Sequence, residues 1–509
     1  MFKKLMALAL CVIMAMQFAS CGKTENTSNF QGGATGDYVI SEEPVELRIF
    51  YNSSKEEDGQ WNNLKEAAKM TNVMGTVTIP KSNSDFNQAF NIMLASGDIP
   101  DIVTTYDIPN FLNYGIEGAF VPLNEYLDEM PNFKKILEDE EIRKGITATD
   151  GNIYLVPFMP GGYTSSGWFI RTDWLKKLNL EVPKTTNELY KVLTAFATKD
   201  PNGNGKADEI PFYGTKTLTD LFPLWDARGE WYTENGKIYF GPYEDNYRTA
   251  VENIIKWYNE GLIDKEVFTR GSSDMEKMLA DNRLGSAASG WFGSSSKFND
   301  KYGTVIEGFE YKPIAPINGI ALSRRPKVGG WGWGISTSSD KIDIAVKYLD
   351  FWLGEAGDML MNFGVEGVHY DMVDGEPVFK AEKLANPDFK KELTDFGIQM
   401  DIGFKQNFEY EKQWLNEIAI EGMEMYMNGG WYVEQLPPVD NYVDKEDSSR
   451  NSELTVQVET YTSEQFQKWV LGAEKLDDAS WDKYIKQLEK FGVKELMTIK
   501  QKGLDNYNE

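Results

Sequence analysis

Between Leu47 and Tyr106 the hydrophobic pattern alternates between a period of two and a period near 3.6, and this alternation restricts the fold more than any other feature of the chain. Leu47-Arg48-Ile49-Phe50-Tyr51 alternates and is rich in β-branched and aromatic residues, so it reads as a strand. Trp61 to Met70 has helical spacing, Val77 to Ile79 reads as a second strand, Phe86 to Ala95 as a helix, and Ile102-Val103-Thr104-Thr105-Tyr106 as a third strand. Strands separated by helices predict a layered α/β architecture with a largely parallel sheet. The pattern resumes after Gly162 with an apolar strand ending at Ile170. Thr185-Thr186-Asn187-Glu188 fits a capping box and opens a helix whose Leu189, Val192, Leu193 and Phe196 share one face. Later helices carry Ile342 to Leu353 and Trp481 to Phe491. A chain of 509 residues has room for two or three domains at roughly 100–200 residues each.

The amino terminus sets the compartment. Lys3 and Lys4 precede an apolar run from Leu5 to Phe18. At about 14 residues the run is too short to span a bilayer as a helix and has the form of a signal-peptide core over residues 1–20. It ends in Phe18-Ala19-Ser20-Cys21-Gly22, which resembles a bacterial lipobox, although Phe18 stands where Leu is usual. Cys21 is therefore expected to carry a lipid; plain secretory cleavage is the alternative. Only Cys11 and Cys21 occur, so the mature chain can form no internal disulfide and must rely on ordinary cores. Residues 21–44, rich in Gly, Ser, Thr, Asn and acidic residues, predict a lipid-anchored flexible tether.

The formal net charge of −27 argues against nucleic acid and anionic lipid surfaces as partners. It also leans toward a neutral or cationic ligand. Aromatic residues make up 13% of the chain, with 14 Trp and 25 Tyr, more than cores alone require.

Four segments carry a family resemblance in the expected order. They are Ala95-Ser96-Gly97-Asp98-Ile99-Pro100-Asp101-Ile102-Val103; Phe169 to Leu178 followed by Val182-Pro183-Lys184-Thr185; Asn362-Phe363-Gly364-Val365-Glu366-Gly367; and Trp469-Val470-Leu471-Gly472 followed by Ser480 to Tyr484. Together they resemble the family 1 extracellular solute-binding proteins of bacterial ABC importers, and in particular the large lipoproteins similar to alginate-oligosaccharide binders. The resemblance implies an α/β, two-lobe periplasmic-binding-protein-like fold with a hinge and an interlobe ligand cleft. Lobe 1 is expected over 45–160 plus about 330–385, and lobe 2 over 161–329 plus about 386–509. Crossings between lobes are placed near Pro157 to Gly162 and Val328 to Gly332, where Pro and Gly allow the backbone to bend. The implied partners are a carbohydrate, the permease subunits of the importer and the membrane reached through the lipid, with the chain acting as a monomer.

Asp200-Pro201-Asn202-Gly203-Asn204-Gly205-Lys206-Ala207-Asp208-Glu209 has the spacing of a calcium loop. Asp200, Asn202, Asn204 and Asp208 occupy positions 1, 3, 5 and 9, Gly205 sits at the sharp turn, and Lys206 can offer its backbone carbonyl. Pro211 replaces the usual bidentate Glu, a role open to Glu209. A structural calcium is expected here. An Asn-Gly turn held by its own side chains is the alternative.

Sugars offer apolar C–H faces and polar edges, so a binder needs flat aromatic platforms and planar hydrogen-bonding groups. Trp291, Trp331, Trp333, Trp225 and Tyr163 lie in loops rich in Gly, Ser or Pro rather than on helical faces. Trp291 matches the place of a cleft tryptophan in maltose-binding relatives. Trp168, beside an apolar strand, is a further candidate. Tyr106 and Asp107 follow the third strand and Asn52 and Ser53 the first, at the carboxyl ends where open α/β sheets bind ligands. Arg228 and Glu366 are weaker candidates. Trp174, Trp257, Trp352 and Trp481 fall on helical faces and are assigned to cores.

An enzyme is not expected. His369 is the single histidine, and no nucleophile elbow, Walker A or dinucleotide-binding glycine motif is present. A surface polysaccharide adhesin and a carboxylate-pair glycosidase are the alternatives.

Overall fold

The computed structural model describes residues 32–51, 61–80, 86–162, 165–214, 216–271, 274–320, 322–386, 388–433 and 436–509. The leader, Cys21, residues 22–31, Asn52, Ser53 and Tyr163 lie outside them. Two sheets organise the described residues, each with its own core.

In the first sheet the spatial order is Val73–Thr78, Val45–Phe50, Ile102–Thr105, Gly332–Ile335, Val156–Pro157. The first three strands run parallel, linked by the helices Asn62–Thr71 and Phe86–Ser96. The Gly332 strand runs antiparallel to both its neighbours. The expectation of a largely parallel sheet thus holds only for the part built by local strand–helix–strand units. The Gly332 strand enters from the other lobe and has no crossover helix to set its direction. Leu47, Ile49, Ile102, Trp333 and Ile335 pack beneath helical Leu64, Val346, Leu349 and Trp352.

The second sheet has the order Tyr311–Ile314, Ser166–Arg171, Leu284–Trp291, Ile210–Tyr213, with only the last pair parallel. It packs with a helical layer that includes Thr186–Thr198, Asp245–Asn259, the 26-residue Lys445–Val470 and Asp478–Lys490. The Thr186 helix starts with both hydrogen bonds of its capping box, Thr185 to the Glu188 amide and Glu188 to the Thr185 amide. Trp174, Trp257, Trp469 and Trp481 are buried in this core. Arg171 is buried as well. Its guanidinium makes a two-pronged pair with Asp173 at 2.8 and 2.6 Å and lies over the rings of Trp174 and Phe309. The Phe169–Leu178 segment is therefore a strand-to-helix joint held by a charge pair in which Asp173 takes Nε and Nη2 and the two rings cover the guanidinium, while Nη1 is buried without a hydrogen bond.

Three segments cross between the lobes and hydrogen-bond to one another. Phe158 N donates to Trp331 O at 2.8 Å, and Gly329 N to Phe158 O at 2.7 Å. Met159 N donates to Phe404 O, and Gln406 N to Met159 O, each at 2.8 Å. The third crossing shifts the expected boundary at about 386. Met400, Ile402 and Phe404 pack in the core of the first sheet, so the chain returns to lobe 2 only after Phe404. The tether is also shorter than 21–44. Asn72 closes its helix with a left-handed backbone (φ 60°), and its carboxamide oxygen accepts the amides of Gly33 and Ala34 at 3.0 and 2.8 Å. Asn72 Nδ2 donates to Ser41 O, so residues 33–41 are pinned to lobe 1.

Candidate ligand-binding cleft

The strand Ile102–Thr105 ends where the sheet meets the hinge, and its next two residues face open space between the lobes. Asp107 caps the helix Ile108–Ile116 by accepting the Asn110 amide at 3.1 Å. Tyr106 Oη donates to Asp401 Oδ2 at 2.5 Å, and the Asp401 amide donates to Tyr51 Oη at 3.0 Å. Trp331 backs the Tyr106 ring at 6.1 Å and is itself stacked on Phe158 at 4.2 Å, with planes 6° apart. A hydrogen-bonded phenol on an aromatic stack is held in one orientation, as a recognition surface requires.

Tyr106 and Asp107 line a cavity of about 1120 Å³. Its walls come from lobe 1, from the crossing segment 324–330 and from the carboxyl-terminal part of the chain, including Pro437, Asn441 and Tyr507. Each cation on the walls is paired. Arg324 pairs with Glu141, Lys327 with Asp139 at 2.6 Å, and Lys144 with Glu140 at 3.4 Å. Leu436 also lines a second cavity of about 720 Å³, whose wall includes Thr219, Glu230, Trp231 and Glu459. Trp231 Nε1 donates to Glu459 Oε1 at 3.0 Å, and the indole leans on Phe240. Partial desolvation between the walls, reinforced by Asp220 and opposed by Arg228, raises the Glu230 carboxyl above its ordinary value. Two adjoining cavities of this size have room for more than one sugar ring, since pockets for drug-sized ligands occupy about 300–1,000 Å³.

The candidates read from sequence divide. Tyr106 and Asp107 line the cleft. Trp331 supports Tyr106 from behind. Trp291 is 60% exposed at the last position of its strand, before the helix Phe292–Tyr302, and lines neither cavity. Trp333 (0% exposed) and Trp168 (3%) are core residues rather than platforms, because each points from an interior strand into a packed layer. Trp225 is half-buried edge-on against Trp257 at 5.1 Å, outside both cavities, and Arg228 and Glu366 line neither. Arg324, Lys327, Glu230, Trp231 and Glu459 are cleft residues that the sequence reading did not single out. Only Trp231, in Gly229-Glu230-Trp231, carried the glycine-flanked signal.

His369 is buried, its Nδ1 accepts the Val365 amide, and burial lowers its pKa. Its imidazole is a loop tie in lobe 1.

The polar side chains of the loop 200–209 bond to one another and to the loop's own amides, the pattern of a turn held by its own side chains. Asn202 and Asn204 both direct Nδ2 at Asp208 Oδ1, at 3.3 and 3.0 Å. Asp200 accepts the amides of Asn204 and Gly205 at 3.0 Å each. Gly203 and Gly205 have positive φ, which lets the loop turn inward. Glu209 Oε1 is buried without a hydrogen-bond partner, and burial together with the charges of Asp200 and Asp208 raises its pKa. Among the described residues, no three His, Cys, Asp or Glu side chains gather closely enough to hold a metal by themselves, so any cation would also need the Asn oxygens and the Lys206 carbonyl. The Asn202 and Asn204 oxygens accept the amides of Asn204 and Lys206 at 2.9 and 2.7 Å, so the unpartnered Glu209 oxygen is the feature that fits a hard cation such as calcium.

Comparison with known proteins agrees with this architecture. The family model described as bacterial extracellular solute-binding protein matches residues 54–359. The fructooligosaccharide ABC transporter substrate-binding protein FusA of Streptococcus pneumoniae serotype 4 is 28% identical over 465 residues, 83% of each chain. Lipoprotein LipO of Bacillus subtilis is 29% identical over 398 residues, 74% of this chain and 75% of its own. Among solved structures, the alginate-binding protein AlgQ2, crystallised without calcium ion, superposes with a TM-score of 0.79 at 34% identity, covering 92% of this chain and 100% of that one. With two lobes, three hinge crossings and a cleft at the strand ends, the chain belongs to the bacterial extracellular solute-binding proteins.

Proposed function

We propose that the chain captures an oligosaccharide outside the cell and presents it to the permeases of an ABC importer, without chemical turnover. The observation that carries this reading is the cleft itself. A hydrogen-bonded aromatic (Tyr106) and a carboxylate (Asp107) stand at a strand end between two lobes joined by a hinge. The carbohydrate-binding relatives support the ligand class. Lobe closure on the ligand is the form a permease would read. Cys21 anchors the chain to the outer face of the membrane by a lipid, a reading supported by its lipobox-like setting and by the lipoprotein relative. Calcium at Asp200, Asn202, Asn204, Lys206, Asp208 and Glu209 is structural. When bound, it supplies positive charge to a loop that carries the carboxylates of Asp200, Asp208 and Glu209.

The test uses the soluble form lacking residues 1–21. Titration with oligosaccharides should quench Trp fluorescence and release heat while no new reducing ends appear. Turnover of the sugar would overturn the transport reading. Calcium should raise the melting temperature of this protein and not that of Asp200→Ala; a calcium response that survives the substitution would remove the loop from the proposal.

A further inference from the structure

We infer that the ligand is a neutral oligosaccharide rather than a uronate chain, with Asp107 and Glu230 accepting hydrogen bonds from its hydroxyls. This rests on the carbohydrate reading above. The argument is one of charge available at the cleft surface. Among the described residues, the cations lining the larger cavity are Lys144, Arg324 and Lys327. Each is committed to a carboxylate of the neighbouring segment 139–141. Lys327 reaches Glu141 as well, at 3.7 Å, and Lys144 also donates to the Tyr507 carbonyl at 2.6 Å. Arg324 is only 7% exposed, so its pair with Glu141 is partly desolvated, and separating such a pair leaves a poorly solvated charge behind. Arg324 is therefore withheld by burial, while Lys144 and Lys327 sit in more exposed pairs whose carboxylates an incoming anion would have to displace.

The carboxylates outnumber them. Asp107 makes no ion pair among the described residues, and the adjoining cavity adds Glu230 and Glu459. A uronate chain brings a negative charge on every ring and would meet this excess at close range, where like charges repel strongly between low-dielectric walls. A neutral sugar meets the same groups as good acceptors, because hydrogen bonds to ionised carboxylates are roughly twice as strong as neutral ones. Trp231, held by Glu459, and Tyr106, held by Asp401, supply apolar faces beside those acceptors. The alginate-binding relative therefore shares the scaffold with this chain and not the charge of its ligand.

The experiment is isothermal titration of the calcium-loaded protein lacking residues 1–21. One panel contains neutral fructo-, malto- and xylo-oligosaccharides, the other oligomers of alginate and polygalacturonate, each at low and high ionic strength. Saturable binding within the neutral panel is expected, weakened about 10-fold or more by Asp107→Asn and by Glu230→Gln, a typical loss for a hydrogen bond to a charged group. Asn still caps the helix at position 107, so the first variant leaves the fold in place. Uronate binding that weakens with salt would overturn the inference and leave the carbohydrate reading standing. Silence across both panels would overturn that reading and this inference with it.

Discussion

Two tryptophans with the same sequence surroundings have opposite fates. Trp291 lies in Ser289-Gly290-Trp291-Phe292-Gly293 and is 60% exposed; Trp333 lies in Gly332-Trp333-Gly334 and is fully buried. The glycines explain the difference. Gly332 and Gly334 lie within an interior strand, and a Cβ on either would fall within 2.6 Å of a neighbouring backbone oxygen, Val156 O or Tyr154 O. They let the neighbouring strand and the Phe111 ring close on the face opposite Trp333, which is buried on its own side in the core of the first sheet. Around Trp291 the near neighbours are side chains instead: a Cβ at Gly290 would meet the Phe169 ring at 2.7 Å, and one at Gly293, in the first turn of a helix, only the Leu415 side chain at 3.0 Å. Flanking glycine therefore signals close approach of something, and whether that is backbone or ligand depends on where the strand ends.

The strongest way to break this comparison is Trp333→Ala. Removing a fully buried indole should cost about 3–5 kcal/mol of stability, read as a large fall in melting temperature. The affinity of the remaining folded protein should barely change, and a selective loss of affinity would return Trp333 to the site. Gly334→Ala comes next, at about 1–3 kcal/mol, because the obstructing atom is a backbone oxygen in a paired strand rather than a side chain that can turn aside. If Gly334→Ala melts with the parent protein, close approach is not the reason for glycine there. Trp291→Ala should do the reverse. Stability should stay within about 0.5 kcal/mol, as for an exposed residue. If the indole is a sugar platform, affinity should fall about 10- to 100-fold, the range expected of an aromatic anchor at an interface. An unchanged titration would leave Trp291 as a surface residue with no part in binding.

Much of the first sheet was legible because its order is written locally. The predicted strand at 47–51 and helices at 61–70 and 86–95 correspond to Val45–Phe50, Asn62–Thr71 and Phe86–Ser96, and the capping box at Thr185 is intact. What was not legible depends on contacts distant in sequence. The direction of the Gly332 strand is set at the hinge. Arg324 and Lys327 join the cleft only because the crossing segment passes Asp139 and Glu141, more than 180 residues earlier. Trp331-Gly332-Trp333-Gly334-Ile335 does carry a strand signal, apolar at every second position, which places all three large side chains on one face. Reading that period, rather than the glycines, would have assigned Trp333 to the core. The buried Trp168 was likewise placed by its apolar strand, and there the neighbouring Phe169 and Ile170, both fully buried, were the better guide.

Trp331 lies between the two cases and so tests the comparison most finely. It shares the strand face of Trp333, yet it is only partly buried, and its ring lies between Phe158 and the cleft residue Tyr106. Phe in its place can keep the stack on Phe158 but is too small to fill the same volume behind Tyr106. Trp331→Phe should therefore cost about 1 kcal/mol of stability, a partial large-to-small change. Affinity should fall by no more than about 3-fold, under 1 kcal/mol, since Tyr106 keeps its hydrogen bond to Asp401. A larger loss of affinity with unchanged stability would mean that Trp331 touches the ligand itself, and the dividing line between core and cleft would move one residue toward Trp333.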